Sequence, residues 1–148
     1  MSDTLEIKIK SRSGALPGYE TSGSAGMDIK ADIDGIISVK PGERALIPTG
    51  LFIELPEGYE AQIRARSGLA IRQGLSMVNG VGTIDSDYRG EIKVPVINLG
   101  KEEIVIEDGD RIAQMIIARY ERIRWEKTET LSQTRRAGGG FGHTGVKK

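Results

Sequence analysis

The sequence contains no cysteine and a single histidine, His143. Disulfides, iron–sulfur clusters and thiolate sites are therefore excluded. A zinc site built from His and Cys, as zinc-dependent deamination requires, is excluded by the same count. No apolar run approaches the ~18 residues of a membrane span. Met1 to Lys10 sets Leu5, Ile7 and Ile9 among charges and lacks the apolar core of a signal peptide. These absences predict a cytoplasmic protein with no membrane contact. Aromatics are also few: one Trp, four Tyr and two Phe in 148 residues. Net charge is zero, from 21 basic and 21 acidic side chains. Scarce stacking platforms and no basic excess argue against nucleic acid as a partner.

What is present favours strands. Ile outnumbers Leu by 19 to 9, and β-branched side chains suit a pleated surface. Gly reaches 20 residues, about twice the usual ~7%. Strand-like segments occur at Leu5–Lys10, Met27–Ala31, Ile36–Val39, Arg44–Ile47, Leu51–Leu55, Tyr59–Ala65, Gly74–Val78, Glu91–Leu99, Ile104–Ile106 and Ala113–Trp125. Turns such as Pro41-Gly42 and Asp108-Gly109-Asp110 separate them. One short helix is predicted at Ser67–Arg72, with Ser67 as its cap. The expectation is an all-β jelly-roll or β-barrel of one domain, a core over residues 1–125 and a flexible Gly-rich arm over 126–148. Charge is uneven along it: residues 1–118 carry net −5 and residues 119–148 net +5. The basic end is either a solvated tail or a segment that meets an anion.

Three stretches carry chemistry. Arg66-Ser67-Gly68 offers a guanidinium, a hydroxyl and close backbone approach at a helix start, a combination that suits phosphate. Asn79 through Gly90 is rich in Gly and Asp, so a flat ligand can approach main-chain donors and acceptors there. If 83–88 is extended, Asp85 and Asp87 share one face, and Ile84 and Tyr88 the other. One of those carboxylates can activate a water; the plainer reading is a solvated turn. Gly138 to Gly145 holds five Gly in eight residues around Phe141, with Arg135 and Arg136 before it. Such a segment reads as a lid for an aromatic, anionic ligand or as a tail with an incidental Phe. Gly140–Gly145 matches G-x-G-x-x-G, but no helix follows, which excludes the dinucleotide fingerprint.

In order, these segments resemble the five motifs of the trimeric dUTP pyrophosphatases (dUTPases). Ala25-Gly26-Met27-Asp28-Ile29 is similar to the first and Arg66-Ser67-Gly68-Leu69-Ala70 to the second. Asn79 to Gly90 is similar to the third, Gly109-Asp110-Arg111-Ile112-Ala113-Gln114 to the fourth and Arg136 to Gly145 to the fifth. Departures are small: Ala137 stands where the family often has Gly, His143 where Ser is common and Met27 where an aromatic is frequent.

The resemblance implies a jelly-roll protomer in a homotrimer with shared active sites, hydrolysing dUTP to dUMP and pyrophosphate with Mg²⁺. It implies that Asp85 orients and deprotonates the attacking water and that Asp28 acts on the metal through water. Arg66, Ser67, Gly68 and Gln114 are implied as phosphate ligands, with Arg136 at the γ end. Tyr88 is implied to pack on the deoxyribose and exclude a 2′-hydroxyl. Asn79, with Gly82 and Ile84 nearby, would read uracil; Lys93 is a further substrate contact; Phe141, beside Gly142, would stack on the base. Two alternatives stay open at this point: a dCTP deaminase-like enzyme of the same fold, and a non-catalytic nucleotide-binding regulatory trimer.

Overall fold

The computed structural model describes residues 4–147. The first three residues of the expected core and Lys148 of the expected arm lie outside them. Ten strands and one helix are formed among the described residues. β1 (Lys8–Ser11), β4 (Arg44–Glu54), β8 (Ile92–Asn98) and β6 (Leu75–Met77) make one antiparallel sheet in the order β1-β4-β8-β6. β2 (Met27–Lys30), β10 (Arg111–Arg119), β5 (Tyr59–Arg64) and β7 (Val81–Ile84) make a second, in the order β2-β10-β5-β7. β3 (Ile36–Val39) pairs with β9 (Ile104–Glu107). The all-β jelly-roll expectation holds, with the sheets open rather than closed into a barrel. No helix among the described residues is long and apolar enough to cross a membrane.

The alternation of apolar side chains sets which face is inward. Along β8, Ile92, Val94, Val96 and Asn98 are all buried, while Lys93 points outward. Ile92, Val94 and Val96 join Ile47 and Ile53 of β4, and Ile29, Ile63, Ala113 and Met115 from the second sheet, in one core. Isoleucine supplies much of this core, including the fully buried Ile29, Ile47, Ile92 and Ile106, which accounts for the Ile excess in the composition.

Four sequence expectations are corrected. Arg44–Ile47 and Leu51–Leu55 are one strand, interrupted only by a bulge at Thr49-Gly50. Gly50 takes φ 67°, and the buried Thr49 hydroxyl donates to the Ile92 carbonyl at 2.5 Å, so pairing resumes at Leu51. The last strand stops at Arg119 rather than Trp125, because its partner β5 begins at Tyr59, opposite Arg119. β7 lies in what reads as a glycine-rich loop; its pairing with β5 overrides the local propensity of Val81-Gly82-Thr83. Helix α1 spans Ser67–Gln73, so Ser67 is its first residue and Arg66 the cap, without a side-chain cap bond. Gly74 closes the helix at φ 76°, donating to the Ala70 carbonyl.

A buried amide holds the end of β8. Asn98 is 0% exposed. Its Nδ2 donates to the Val39 and Glu102 carbonyls at 2.8 and 2.7 Å, and its Oδ1 accepts from the Gly100 N–H at 2.8 Å. Replacing it strands three backbone groups, one buried and two part-buried. Asn98→Ala should lower unfolding stability by about 2–4 kcal/mol, read as a shift of the urea midpoint; an unshifted midpoint would show that the network contributes nothing net.

Candidate functional site

Strand register assembles a first group of side chains. On β10, Gln114 stands opposite Asp28 of β2 on one side and Arg64 of β5 on the other. Beyond Arg64 the chain leaves the sheet toward α1, and Arg66 turns back onto Asp28, Nε to Oδ1 3.0 Å. Arg111 approaches the other oxygen, Oδ2, at 3.5 Å. Gln114 Nε2 donates to the Ala65 carbonyl at 3.1 Å. Gly26 is needed beside it, since a Cβ there would fall 2.8 Å from Gln114 Oε1. Ser67 and Gly68 open α1, whose first turn contains no acidic residue, so its unpaired amides add positive potential to the same corner. Arg111 also meets Glu20 Oε1 at 3.6 Å; with Arg64 paired beside Gln114, the corner sets three guanidiniums against two carboxylates, a net positive charge fit for a polyanion.

Arg111 joins this group although the sequence reading assigned it no role. In an unbroken strand, residues three apart face opposite sides. A register shift between Arg111 and Ala113 turns Arg111 onto the side of Asp28. The bulge is the missing signal, and nothing in the local sequence marks it.

A second group forms where β7 ends. Ile84 is buried, and the chain turns immediately after it, with the Tyr88 N–H donating to the Asp85 carbonyl at 3.1 Å. Residues 83–88 are therefore not extended throughout, and Ile84 and Tyr88 do not share a face: Ile84 enters the core and Tyr88 is 45% exposed. Arg89, which the sequence reading also passed over, braces this turn by donating to the Ser86 and Tyr88 carbonyls at 2.6 and 3.1 Å. Asp85 and Tyr88 line a cleft of about 320 Å³ with Thr83 and Lys93. A larger cleft of about 720 Å³ lies on the other side of Asp85. It sets Glu57, Glu60, Asp85 and Asp87 against only Arg89 and Arg122, an excess of negative charge that repels an anion. The smaller cleft is also lined by Glu91, but Arg12 pairs with that carboxylate, which leaves Asp85 against Lys93, so it is the better site despite its size. Near it, Gly82 packs so closely that a Cβ would lie 3.2 Å from Asn79 Nδ2 and 3.3 Å from Ile63. Asn79 itself is exposed.

The third group stands apart. From Tyr120 to Lys147 the chain forms no strand or helix, and nearly all of it is exposed. Arg136 Nε donates to the Gly139 carbonyl at 2.6 Å. Phe141 is wholly exposed. Gly142 adopts φ 82°, and Ala137 and Phe141 each adopt φ 49°. That region favours glycine and costs other residues roughly 1–2 kcal/mol.

The cleft of Asp85 and Tyr88 includes none of Asp28, Arg66, Gln114, Arg136 or Phe141. The three groups of candidate residues do not meet in that cleft within a single chain. No group of three or more His, Asp or Glu side chains among the described residues is placed to cage a metal ion. Asp28 offers hard oxygen atoms of the kind Mg²⁺ takes, directly or through retained waters, but in this structure both are engaged by Arg66 and Arg111.

The comparisons with known proteins follow the same lines. The dUTPase family model matches residues 12–145. A Finegoldia magna deoxyuridine 5′-triphosphate nucleotidohydrolase is 56% identical over 142 residues, covering 95% of this chain and 99% of its own. A Rickettsia felis protein of the same name is 60% identical over 139 residues, covering 94% of each. Among solved structures, a Staphylococcus bacteriophage 80alpha dUTPase with dUpNHpp superposes with a TM-score of 0.87 at 25% identity, covering 97% of this chain and all of that one. A variant dUTPase of phage phi11 of S. aureus, solved for the coordination of a structural Mg(II) ion, gives 0.76 at 21% identity over 85% of this chain and 98% of that one. Matched by the family model over residues 12–145 and by relatives of 56–60% identity across nearly its whole length, this chain belongs to the dUTPase family.

Proposed function

We propose that this protein hydrolyses dUTP to dUMP and pyrophosphate by attack of water on the α-phosphorus, as a cytoplasmic homotrimer that uses Mg²⁺. One observation carries the reading: Asp85 and Tyr88 line one cleft with Thr83 and Lys93, in a chain that matches dUTPases over residues 12–145. Asp85 accepts the proton of the attacking water. A carboxylate is a weak base at neutral pH, so placing the water counts as much as basicity. Tyr88 covers the sugar and leaves no room for a 2′-hydroxyl. Asn79 and the backbone near Gly82 and Ile84 hold the base.

The cationic corner takes the triphosphate. Arg66, Gln114 and the first-turn amides of Ser67 and Gly68 hold its oxygens, and Lys93 adds a positive charge beside Asp85. Bound Mg²⁺ supplies charge withdrawal from the triphosphate oxygens, and Asp28 would hold it through water. Arg136 reaches the γ end, while Phe141 stacks on the base as the arm over residues 126–148 closes and excludes bulk water. The separation of the three groups within one chain supports a site completed by neighbouring copies.

Pyrophosphate should be released from dUTP with Mg²⁺ and not with EDTA, and not from dCTP, dTTP or UTP. Release of ammonia from dCTP would instead favour deamination. Asp85→Asn should bind dUTP as the parent does while kcat falls about 10²–10⁴-fold; a parental kcat would remove Asp85 as the base. Deleting residues 136–148 should leave the β-sheet fold, by circular dichroism, and cut kcat at least about tenfold. An unchanged kcat would end the lid reading.

A further inference from the structure

The turn that carries Asp85 and Tyr88 is fastened from outside by a residue far away in sequence. Arg12, just after β1, donates from Nε to Asp32 Oδ2 at 3.0 Å and from NH2 to Glu91 Oε1 at 2.6 Å. Its own N–H is held by the Gly50 carbonyl at 2.9 Å. Gly50 sits in the β4 bulge, where a side chain would collide with the Asp32 carboxylate. The bulge therefore makes room for this pair. The Glu91 side chain is only 12% exposed, and its Oε2 is buried without a hydrogen-bond partner. Arg12 is the one cation paired with Glu91 among the described residues. The hydrogen bond to Asp32, helped by the charge of Glu91, raises the pKa of Arg12, so the clamp stays charged.

Glu91 in turn anchors Tyr88. The Tyr88 hydroxyl donates to the Glu91 carbonyl at 2.8 Å. The ring lies across Gly90, where a Cβ would fall 2.5 Å from the Tyr88 Oη. Moving Glu91 therefore moves the phenol end of Tyr88. Excluding a 2′-hydroxyl is a steric matter, and a displacement of about 1 Å suffices to weaken it.

We propose that Arg12 is a positioning residue for sugar selectivity: by clamping Glu91 to Asp32 it fixes the 85–91 turn and the ring of Tyr88 that faces the sugar. The inference rests on the role proposed above for Tyr88. It differs from a plain stabilising role in what it predicts. A merely structural loss reduces the amount of active enzyme and lowers turnover of dUTP and UTP alike. A loosened Tyr88 admits UTP and changes the ratio.

The test measures kcat and KM for dUTP and UTP, and thermal melting, for the full chain, Arg12→Met and Arg12→Lys. Arg12→Met should lower the dUTP-to-UTP ratio of kcat/KM about tenfold, the size typical of coupling through an intermediate residue. Arg12→Lys retains the charge but lacks the fork that spans two carboxylates. It should fall between the two, and it carries the test if Arg12→Met does not fold. A parental ratio in the variants, with both substrates losing activity in step with melting temperature, would overturn the clamp and leave Tyr88 as the sugar gate. A parent chain that turns over UTP as readily as dUTP would overturn both.

Discussion

The register of β10 is the constraint on which the rest depends. Gln114 is paired with Asp28 on one side and Arg64 on the other. That double pairing brings a carboxylate, an amide and, two residues past Arg64, a guanidinium to one corner of the sheet. A slip of one residue would send every side chain of β10 to the opposite face. Ala113 and Met115, now buried, would go out, and Gln114 would go in. Core burial therefore enforces the geometry of a site that contributes little to stability itself.

The same logic explains what the sequence made legible. Alternation and β-branched content mark β3, β5, β8 and β9 within about a residue of their ends, because each buries one face of regular strand. The Asp28, Arg66 and Gln114 grouping was readable only through resemblance, since their contact depends on strand pairing between distant segments. The features that escaped are irregularities: the bulge at Thr49-Gly50, the register shift behind Arg111, and β7 with its Gly82. In each case a local propensity yields to a tertiary contact, whether a buried hydroxyl, a neighbouring strand or the methyl of Met77 3.4 Å from where a Gly82 Cβ would sit. Arg12 belongs with these. It reads as one more surface charge until Asp32 and Glu91 are seen at either end of its guanidinium.

Rigidity is unequally distributed among the three groups of candidate residues. The cationic corner is tied to the centre of a sheet. The Asp85–Tyr88 turn hangs from the end of β7 and is held by arginines at 12 and 89. Beyond Tyr120, which bonds to Gly58 and Ser86, the last segment makes hydrogen bonds only within its own turns among the described residues. An enzyme of the proposed kind gains from this order: the groups that meet the most charge are the most fixed, and those that must admit and release the base are the least.

The ion pairs at Asp28 have a consequence for turnover. Arg66 and Arg111 are not waiting unpaired; each already contacts a carboxylate oxygen. An incoming polyanion therefore gains less from them than from bare guanidiniums, because it competes with an existing partner. The same partner is at hand when a cleaved polyanion is still bound. In an enzyme of the proposed kind, re-forming the Asp28 pairs would offset the cost of letting the anion go, and the corner would work as an exchange point that guards against inhibition by product.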